Sequence, residues 1–283
     1  IFLLFGAVGV PRLLTALLVI LLLGATVPAS KFIAFLVEKK RAVFSVGGAA
    51  FVGIVLAPWA VLVVNATLAP WLAAPAIPLW PALAAMGIAY AFGEGLGRLA
   101  CISFGCCYGK PLVETHPWLA RLFDRACFVF QGETKKIAYA GKLAGEKVVP
   151  IQAITALLYT ATGLAGMLLF LHGNYTVALL LTLSVTQVWR VVSETLRADW
   201  RGAGKISAYQ GLALLSLPYA LALFAWLPAP AASAADLLHG LEALWHPGMI
   251  LFLLALWTTM FLFYGRSEVT GSRVALYIRP DRI

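Results

Sequence analysis

The chain has 283 residues, of which 62% are hydrophobic and only 12% are charged. Soluble domains carry about 25% charged residues, so this composition excludes a water-soluble protein and indicates an integral membrane protein. The net charge of +9 does not indicate nucleic-acid binding, because no soluble domain is predicted to carry such a site. Basic loops beside a bilayer instead meet lipid headgroups and set the topology.

The predicted fold is all-α: a single membrane domain over residues 1–283 that forms a polytopic bundle of about seven to eight spans. A helix needs about 20 apolar residues to cross a bilayer. In chain order, the predicted spans are a partial helix at 1–10, whose start we expect to be missing, and then 13–30, 44–66, 79–104, 149–171, 176–197, 208–227 and 247–264.

The segments between the spans differ in composition. We predict an interfacial segment at 31–40, a long polar loop at 108–148 and a small-residue connector at 229–236. Residues 13–227 are expected to form the core of the bundle. Residues 228–283 are expected to add a helix and a basic tail.

Lysine and arginine are concentrated in alternate loops. Residues 31–43 contain four, 108–148 seven, 197–205 three and 266–283 four, whereas the loops 67–78, 172–175 and 228–246 contain none. An excess of Lys and Arg marks short loops on the cytoplasmic side. The four basic loops are therefore predicted to share the cytoplasmic face.

Five charged residues lie in or at the end of two predicted spans, where charge is costly and usually faces the bundle interior. Glu94 and Arg98 share one helix face, and Arg190, Glu194 and Arg197 share a face of a second helix. We predict that the two faces meet around a polar cavity. Three guanidinium groups there suit a phosphate, and the abundant phosphate of a bilayer is a phospholipid headgroup. The alternative is that both Glu–Arg pairs are structural salt bridges.

The stretch EGLGRLACISFGCCYG (94–109) adds three thiols where the first charged helix ends. Gly105 and Gly109 bracket the thiols and favour a shaped turn. Cys106 is a candidate nucleophile if nearby arginines lower the pKa of its thiol; the alternative is a small apolar core residue. The sequence has no CxxC pair, and adjacent Cys106 and Cys107 suit neither a relaxed disulfide nor a chelate. We therefore predict no metal site and no cofactor.

Two segments resemble motifs of the prolipoprotein diacylglyceryl transferase family. GEGLGRLACISFGCCYGKP (93–111) resembles the family signature, roughly G-R-x-G-N-F-x-N-G-E-x-x-G, with Arg98, Gly105 and Gly109 on its arginine, its glycine before the glutamate and its last glycine. RVVSETLR (190–197) is similar to the family's R-x-x-x-E-F-x-R.

Weaker likenesses keep the same order along residues 13–227. FSVGGAAF (44–51) resembles the family's S-F-H-G-G segment, and VPIQAIT (149–155) resembles H-P-S-Q-L-Y-E. SAYQG (207–211) lies where the last family helix begins.

The resemblance implies a helical bundle of about seven spans that moves a diacylglyceryl group from phosphatidylglycerol onto a cysteine thiol, with release of glycerol phosphate. The arginines would then hold the phosphate, a carboxylate would assist proton transfer, and Cys106 would be an acceptor or a covalent relay. The predicted catalytic residues are Glu94, Arg98, Cys106 and Glu194. The predicted substrate-binding residues are Arg98, Cys101, Gly105, Tyr108, Gly109, Gln152, Arg190, Arg197, Gly47 and Gly48.

The departures from the family pattern affect mainly acid–base chemistry. The signature asparagine and glutamate are Cys101 and Cys106 here, and the histidine before the paired glycines is Val46. Val149 and Thr155 replace a second histidine and a second glutamate. The family's site faces away from the cytoplasm, whereas the charge distribution places this one on the cytoplasmic face.

Two functions remain open from the sequence. One is a divergent phospholipid-dependent transferase of the bacterial inner membrane, which moves a glyceryl-lipid or related group from an anionic, phosphatidylglycerol-like phospholipid to a thiol or other acceptor. The alternative is a non-catalytic lipid-binding subunit of a larger complex, with a protein partner at loop 108–148 or at the C-terminal tail. Transport is disfavoured because the sequence shows no inverted repeat.

Overall fold

The computed structural model describes residues 1–39, 45–199, 206–227 and 235–265, and these residues are predominantly helical, as predicted. The helices are α1 (Phe2–Ala7), α2 (Arg12–Glu38), α3 (Val46–Trp71), α4 (Leu79–Phe104), α5 (Pro117–Phe123), α6 (Lys136–Tyr139), α7 (Ile151–Leu171), α8 (Tyr175–Thr195), α9 (Ala208–Trp226), α10 (Leu237–Leu244) and α11 (Pro247–Gly265). Two short strands, β1 (Phe128–Val129) and β2 (Lys147–Val148), pair antiparallel.

The span count differs from the prediction. Among the described residues, five helices are long and apolar enough to cross a membrane, namely α2, α3, α7, α8 and α9, and the bent pair α10–α11 brings the number to six at most. The predicted seven to eight spans are therefore not confirmed. Helix α4 has 26 residues, but two charged side chains and several glycines lower its mean hydropathy. It nevertheless packs inside the bundle, against α7 and α8.

The long helices run in alternating directions, which collects the functional segments at one end of the bundle. Gln152 Nε2, at the start of α7, donates to Cys106 O just after α4 (3.0 Å). Gln210 Nε2, at the start of α9, donates to Val191 O near the end of α8 (2.9 Å). The helix ends that border the basic loops 31–43, 108–148 and 197–205 all lie at this end; the basic tail 266–283 lies outside the described residues.

Two helices extend beyond their predicted ends. Helix α2 is continuous from Arg12 to Glu38, so the interfacial segment predicted at 31–40 is mostly the last turns of this helix. Helix α3 continues past the predicted end at residue 66 to Trp71. Both helices contain prolines, which membrane helices tolerate when neighbouring groups satisfy the freed backbone.

The polar loop 108–148 is a small folded unit with its own core. Tyr108, Phe130, Ile137 and Val148 pack together in it. Ile137 N donates to Gly105 O (2.9 Å), which fixes the unit to the end of α4. The loop therefore has a defined shape and a fixed position at the end of α4.

Helices α1 and α10 pack against each other. Gly6 in α1 and Gly240 in α10 allow the two backbones to approach closely. Asp236 accepts hydrogen bonds from the first turn of α10, so the connector predicted at 229–236 ends as a helix cap; its residues up to 234 lie outside the described residues. Helices α10 and α11 meet at an angle of 63°.

Candidate functional site

A buried carboxylate joins the two charged helices. Glu94 on α4 forms an ion pair with Arg98 one turn later, with an Nη2–Oε1 distance of 2.5 Å, and a second ion pair with Arg190 on α8. The side chains of Glu94 and Arg190 are 4% and 6% exposed. The Tyr90 hydroxyl donates to Glu94 Oε2 (2.5 Å) and accepts from Arg190 Nη2 (2.7 Å). The predicted contact between the two charged faces is therefore present, and Tyr90, which the sequence analysis missed, belongs to it.

The third arginine belongs to a separate cluster. Arg197, just after α8, donates two hydrogen bonds of 2.7 Å to Asp199 and one of 3.1 Å to Glu194. The side chains of all three are at most 9% exposed. Asp199 was not predicted, because it follows the end of the predicted span. Two carboxylates thus offset the charge of Arg197, which makes it a weaker candidate for phosphate binding than the sequence suggested.

Backbone pairing holds the thiol-bearing segment 106–109 against the end of α8. Lys110 N donates to Leu196 O (2.9 Å), and Val149 N donates to Lys110 O (3.0 Å). A Cβ added to Gly109 would collide with the carbonyl oxygen of Val149. Glycine at this position is therefore required for the close backbone approach.

Helix α4 ends in a turn that brings two thiols together. Gly105 has a left-handed φ of 61°, which glycine adopts at little cost. The N–H of Cys106 then donates back to Cys101 O (3.1 Å), and that of Gly105 to Ile102 O (3.4 Å). This is a Schellman motif, in which the residues at the positions of Cys101 and Cys106 are commonly in contact.

Cys107 completes a cluster of three thiols. It has a left-handed φ of 53°, and its Sγ accepts a hydrogen bond from Cys101 Sγ at 3.9 Å. The three sulfur atoms of Cys101, Cys106 and Cys107 lie within 4.8 Å of one another. The sequence analysis considered a chelate only for the adjacent pair Cys106 and Cys107, whereas the turn that follows α4 adds the sulfur of Cys101 to this pair.

The two adjacent thiols have opposite electrostatic environments. Hydrogen bonds with Cys101 and Cys106 hold the pKa of the Cys107 thiol well below its usual value, against the opposing effect of burial. The positive charges of Arg197 and Arg98 lower this pKa further. Hydrogen bonds with Cys101 and Cys107 instead raise the pKa of the Cys106 thiol, and burial acts in the same direction. Cys107 is thus the more acidic thiol of the pair.

A cavity of about 670 Å³ opens beside the Glu94 cluster. Apolar residues of α2, α3, α4, α8 and α9 line most of it. Its polar end is formed by Tyr90, Glu94, Arg98, Cys101 and Cys107. The Nε of Arg98 is buried and has no hydrogen-bond partner among the described residues. Four other predicted site residues do not line the cavity, namely Cys106, Arg190, Glu194 and Arg197.

The remaining predicted residues are divided between the site and the scaffold. Gly47 lies against Tyr209 and Arg190: a Cβ added to it would lie 2.9 Å from Tyr209 Cδ1 and 3.3 Å from Arg190 Nη1. Gln152 is buried and holds the turn after α4 through the carbonyl of Cys106. Gly48 packs on α2, and Tyr108 lies in the core of the polar loop, so neither lines the cavity.

The fold and this site define a multi-pass helical membrane protein with a buried arginine–carboxylate cluster beside an apolar cavity. The family model of prolipoprotein diacylglyceryl transferase matches residues 10–226, and the chain belongs to this family of membrane transferases of lipoprotein biosynthesis. Comparisons with curated proteins and with solved structures gave no match. The matched residues contain both charged clusters and the thiols.

Proposed function

We propose that the protein is a phospholipid-dependent transferase of the bacterial inner membrane. It moves a glyceryl-lipid group from an anionic, phosphatidylglycerol-like phospholipid to a thiol acceptor. The observation that carries this proposal is the cavity, whose apolar walls suit acyl chains and whose polar end presents the guanidinium of Arg98. Membership of the family supports the class of reaction.

The charge of the Glu94 cluster suits a phosphodiester. Two guanidinium groups share one carboxylate, so the cluster keeps one positive charge, which a phosphodiester would neutralise. Arg98 Nε is buried without a partner and is free to donate to a phosphate oxygen while Nη2 stays on Glu94. A guanidinium offers this fixed pair of donors, which a lysine does not. Arg190 lies behind Glu94 and holds the carboxylate in place.

The proposed reaction forms one carbon–sulfur bond and breaks one carbon–oxygen bond. The acceptor sulfur attacks the glyceryl carbon that bears the phosphate, and glycerol phosphate leaves with the electron pair of the broken bond. The proton of the acceptor thiol ends on the leaving phosphate, so atoms and charge balance. The guanidinium of Arg98 stabilises the negative charge that grows on the leaving group.

The predicted acid–base and nucleophilic roles are constrained by the contacts. Glu94 borders the cavity, but both its oxygens are ion-paired, and Glu194 is paired with Arg197 away from the cavity. Cys107 rather than Cys106 borders the cavity. A cysteine of the enzyme that took the glyceryl group would become a thioether, which is not activated for onward transfer. A covalent relay is therefore disfavoured, and the acceptor is a separate thiol.

A second candidate function is a non-catalytic lipid-binding subunit. The observation that favours it is that each of the three arginines already has a carboxylate partner. The cavity would then hold a structural lipid. A protein partner would bind at the polar loop 108–148 or at the C-terminal tail.

The donor site is tested by measuring the phospholipid that copurifies with the protein from a membrane containing phosphatidylglycerol. Arg98→Lys keeps the charge but loses the guanidinium fork, so the bound phosphatidylglycerol is expected to fall about tenfold, equivalent to about 1.4 kcal/mol. Arg121→Lys, in an exposed part of the polar loop, is the matched control and should retain the lipid. Equal retention by both variants would contradict the donor site.

A further inference from the structure

The three-thiol cluster of Cys101, Cys106 and Cys107 is not used by the lipid-transfer step described above. Among the described residues, it is the only group of three or more His, Cys, Asp or Glu side chains with ligand atoms close enough to share a metal ion. Cys101 lies in the last turn of α4, and Cys106 and Cys107 lie in the turn that follows the helix. The fold brings Cys101 and Cys107 to the polar end of the cavity.

The spacing of the sulfur atoms fits a shared ion better than a disulfide. Cys101 Sγ and Cys107 Sγ are 3.9 Å apart, nearly twice the roughly 2.05 Å of a disulfide bond. A tetrahedral zinc ion with Zn–S bonds of about 2.3 Å holds its sulfur ligands about 3.8 Å apart. All three sulfur atoms lie within 4.8 Å of one another, so small side-chain rotations bring them onto one ion.

The backbone holds the cluster in this arrangement before any ligand binds. The hydrogen bond from Cys106 N to Cys101 O closes the turn. Gln152 holds the carbonyl of Cys106 from the start of α7. Cys107 keeps a left-handed φ of 53°, a conformation that costs a non-glycine residue free energy and persists only where the surroundings enforce it.

The neighbouring charges suit an anionic metal complex. A divalent cation with three thiolates carries one net negative charge. The guanidinium groups of Arg98 and Arg197 both interact electrostatically with Cys107. Arg197 is already paired with Glu194 and Asp199, so the net positive charge beside the complex is that of the Glu94 cluster, which reaches it through Arg98.

We propose that Cys101, Cys106 and Cys107 bind one Zn²⁺ ion whose fourth coordination position opens to the cavity and takes the acceptor thiol. Structural zinc sites use four protein ligands, whereas three protein ligands and an open position are typical of catalytic sites. Cys101 and Cys107 line the cavity, so the open position faces the polar end where Arg98 lies.

The role of the fourth position rests on the proposed transferase function. A thiol that coordinates zinc is deprotonated, which supplies the activation that the paired carboxylates cannot. The acceptor thiol gives up its proton on binding, its sulfur attacks the glyceryl carbon, and the leaving glycerol phosphate takes up a proton. The resulting thioether is a weaker ligand than the thiolate and leaves the metal.

Zinc content tests the metal site without any need for activity. The full chain is purified in detergent from cells grown with zinc, and the metal is measured by mass spectrometry. About one zinc per chain is expected in the wild type and in Cys127→Ser, whose thiol hydrogen-bonds Asp124 O in the polar loop. Ser variants of Cys101, Cys106 and Cys107 should each lose more than about 100-fold in zinc affinity, because loss of an outer-shell partner alone costs about 10–100-fold. A wild-type protein without zinc, or full zinc binding by Cys106→Ser, would overturn the proposal.

Cobalt substitution of the wild type tests the open position and does not depend on the folding of the variants. Sulfur ligation gives Co²⁺ strong charge-transfer absorption. A peptide that contains one cysteine should shift the visible absorption bands of the protein-bound cobalt. The same peptide with serine in place of the cysteine should leave these bands unchanged. Identical spectra with both peptides would overturn the acceptor position. A protein that binds one zinc per chain but transfers no lipid would instead contradict the proposed transferase function. Failure of the zinc site and failure of the transferase function are therefore distinguishable.

Discussion

Replacing Glu94 with glutamine tests whether one buried carboxylate joins the two charged helices. The amide keeps the size of the side chain but removes the charge that Arg98 and Arg190 share. Its oxygen accepts a hydrogen bond from one guanidinium, while its NH₂ group faces the other as a second donor. Removing one partner of a buried ion pair costs about 3–5 kcal/mol. The Glu94–Arg190 pair is almost fully buried, so this range applies to it; Arg98 is 12% exposed and borders the cavity, so it adds less.

Glu194→Gln is the matched control for this experiment. Arg197 keeps both 2.7 Å hydrogen bonds to Asp199 when Glu194 loses its charge, so we expect a loss of only about 1–2 kcal/mol. The assay is unfolding of the wild type and both variants in one detergent, followed by tryptophan fluorescence. Equal losses for the two variants, or a loss below about 1 kcal/mol for Glu94→Gln, would refute the shared carboxylate.

Two further predictions concern the backbone and the topology. Gly109→Ala is expected to destabilise the protein by about 1–3 kcal/mol, because the new Cβ meets the carbonyl of Val149. The control is Gly24→Ala in α2, where the added Cβ meets nothing within 4 Å. This control variant should be neutral or stabilising in the same unfolding assay. A comparable loss in both variants would contradict the close backbone approach at Gly109. A thiol reagent that cannot cross membranes should label Glu133→Cys in the polar loop only from the cytoplasmic side, because basic loops mark that face. Labelling from the outer side would show that the family orientation prevails.

The parts of the site that depend on helix periodicity and on the cost of buried charge could be predicted from the sequence. The spacing of Glu94 and Arg98 placed them on one helix face, and the cost of burying charge predicted their contact with Arg190. The bounds of α4, residues 79–104, were also predicted correctly. The span count differs from the prediction because α1 has only 6 residues and because two charged side chains and several glycines lower the mean hydropathy of α4.

The missed features depend on groups that meet only in the folded chain. Tyr90 resembles many tyrosines of membrane helices, and only its spacing of four residues from Glu94 indicates a shared face. Asp199 lies beyond the predicted span. The position of Cys107 depends on a left-handed backbone conformation that no periodicity reveals. The core of the polar loop contains few residues, and they come from distant positions in the sequence.

The most direct test of the transferase assignment is the fate of phosphatidylglycerol on the purified protein. The wild-type protein is incubated with this lipid and with a short peptide that contains one cysteine, and the products are measured by mass spectrometry. We expect release of glycerol phosphate in equal amount with a thioether-linked glyceryl lipid on the peptide, and both products should be reduced in Arg98→Lys but not in Arg121→Lys. Lipid that stays bound without release of glycerol phosphate would contradict the transferase assignment and favour the lipid-binding subunit.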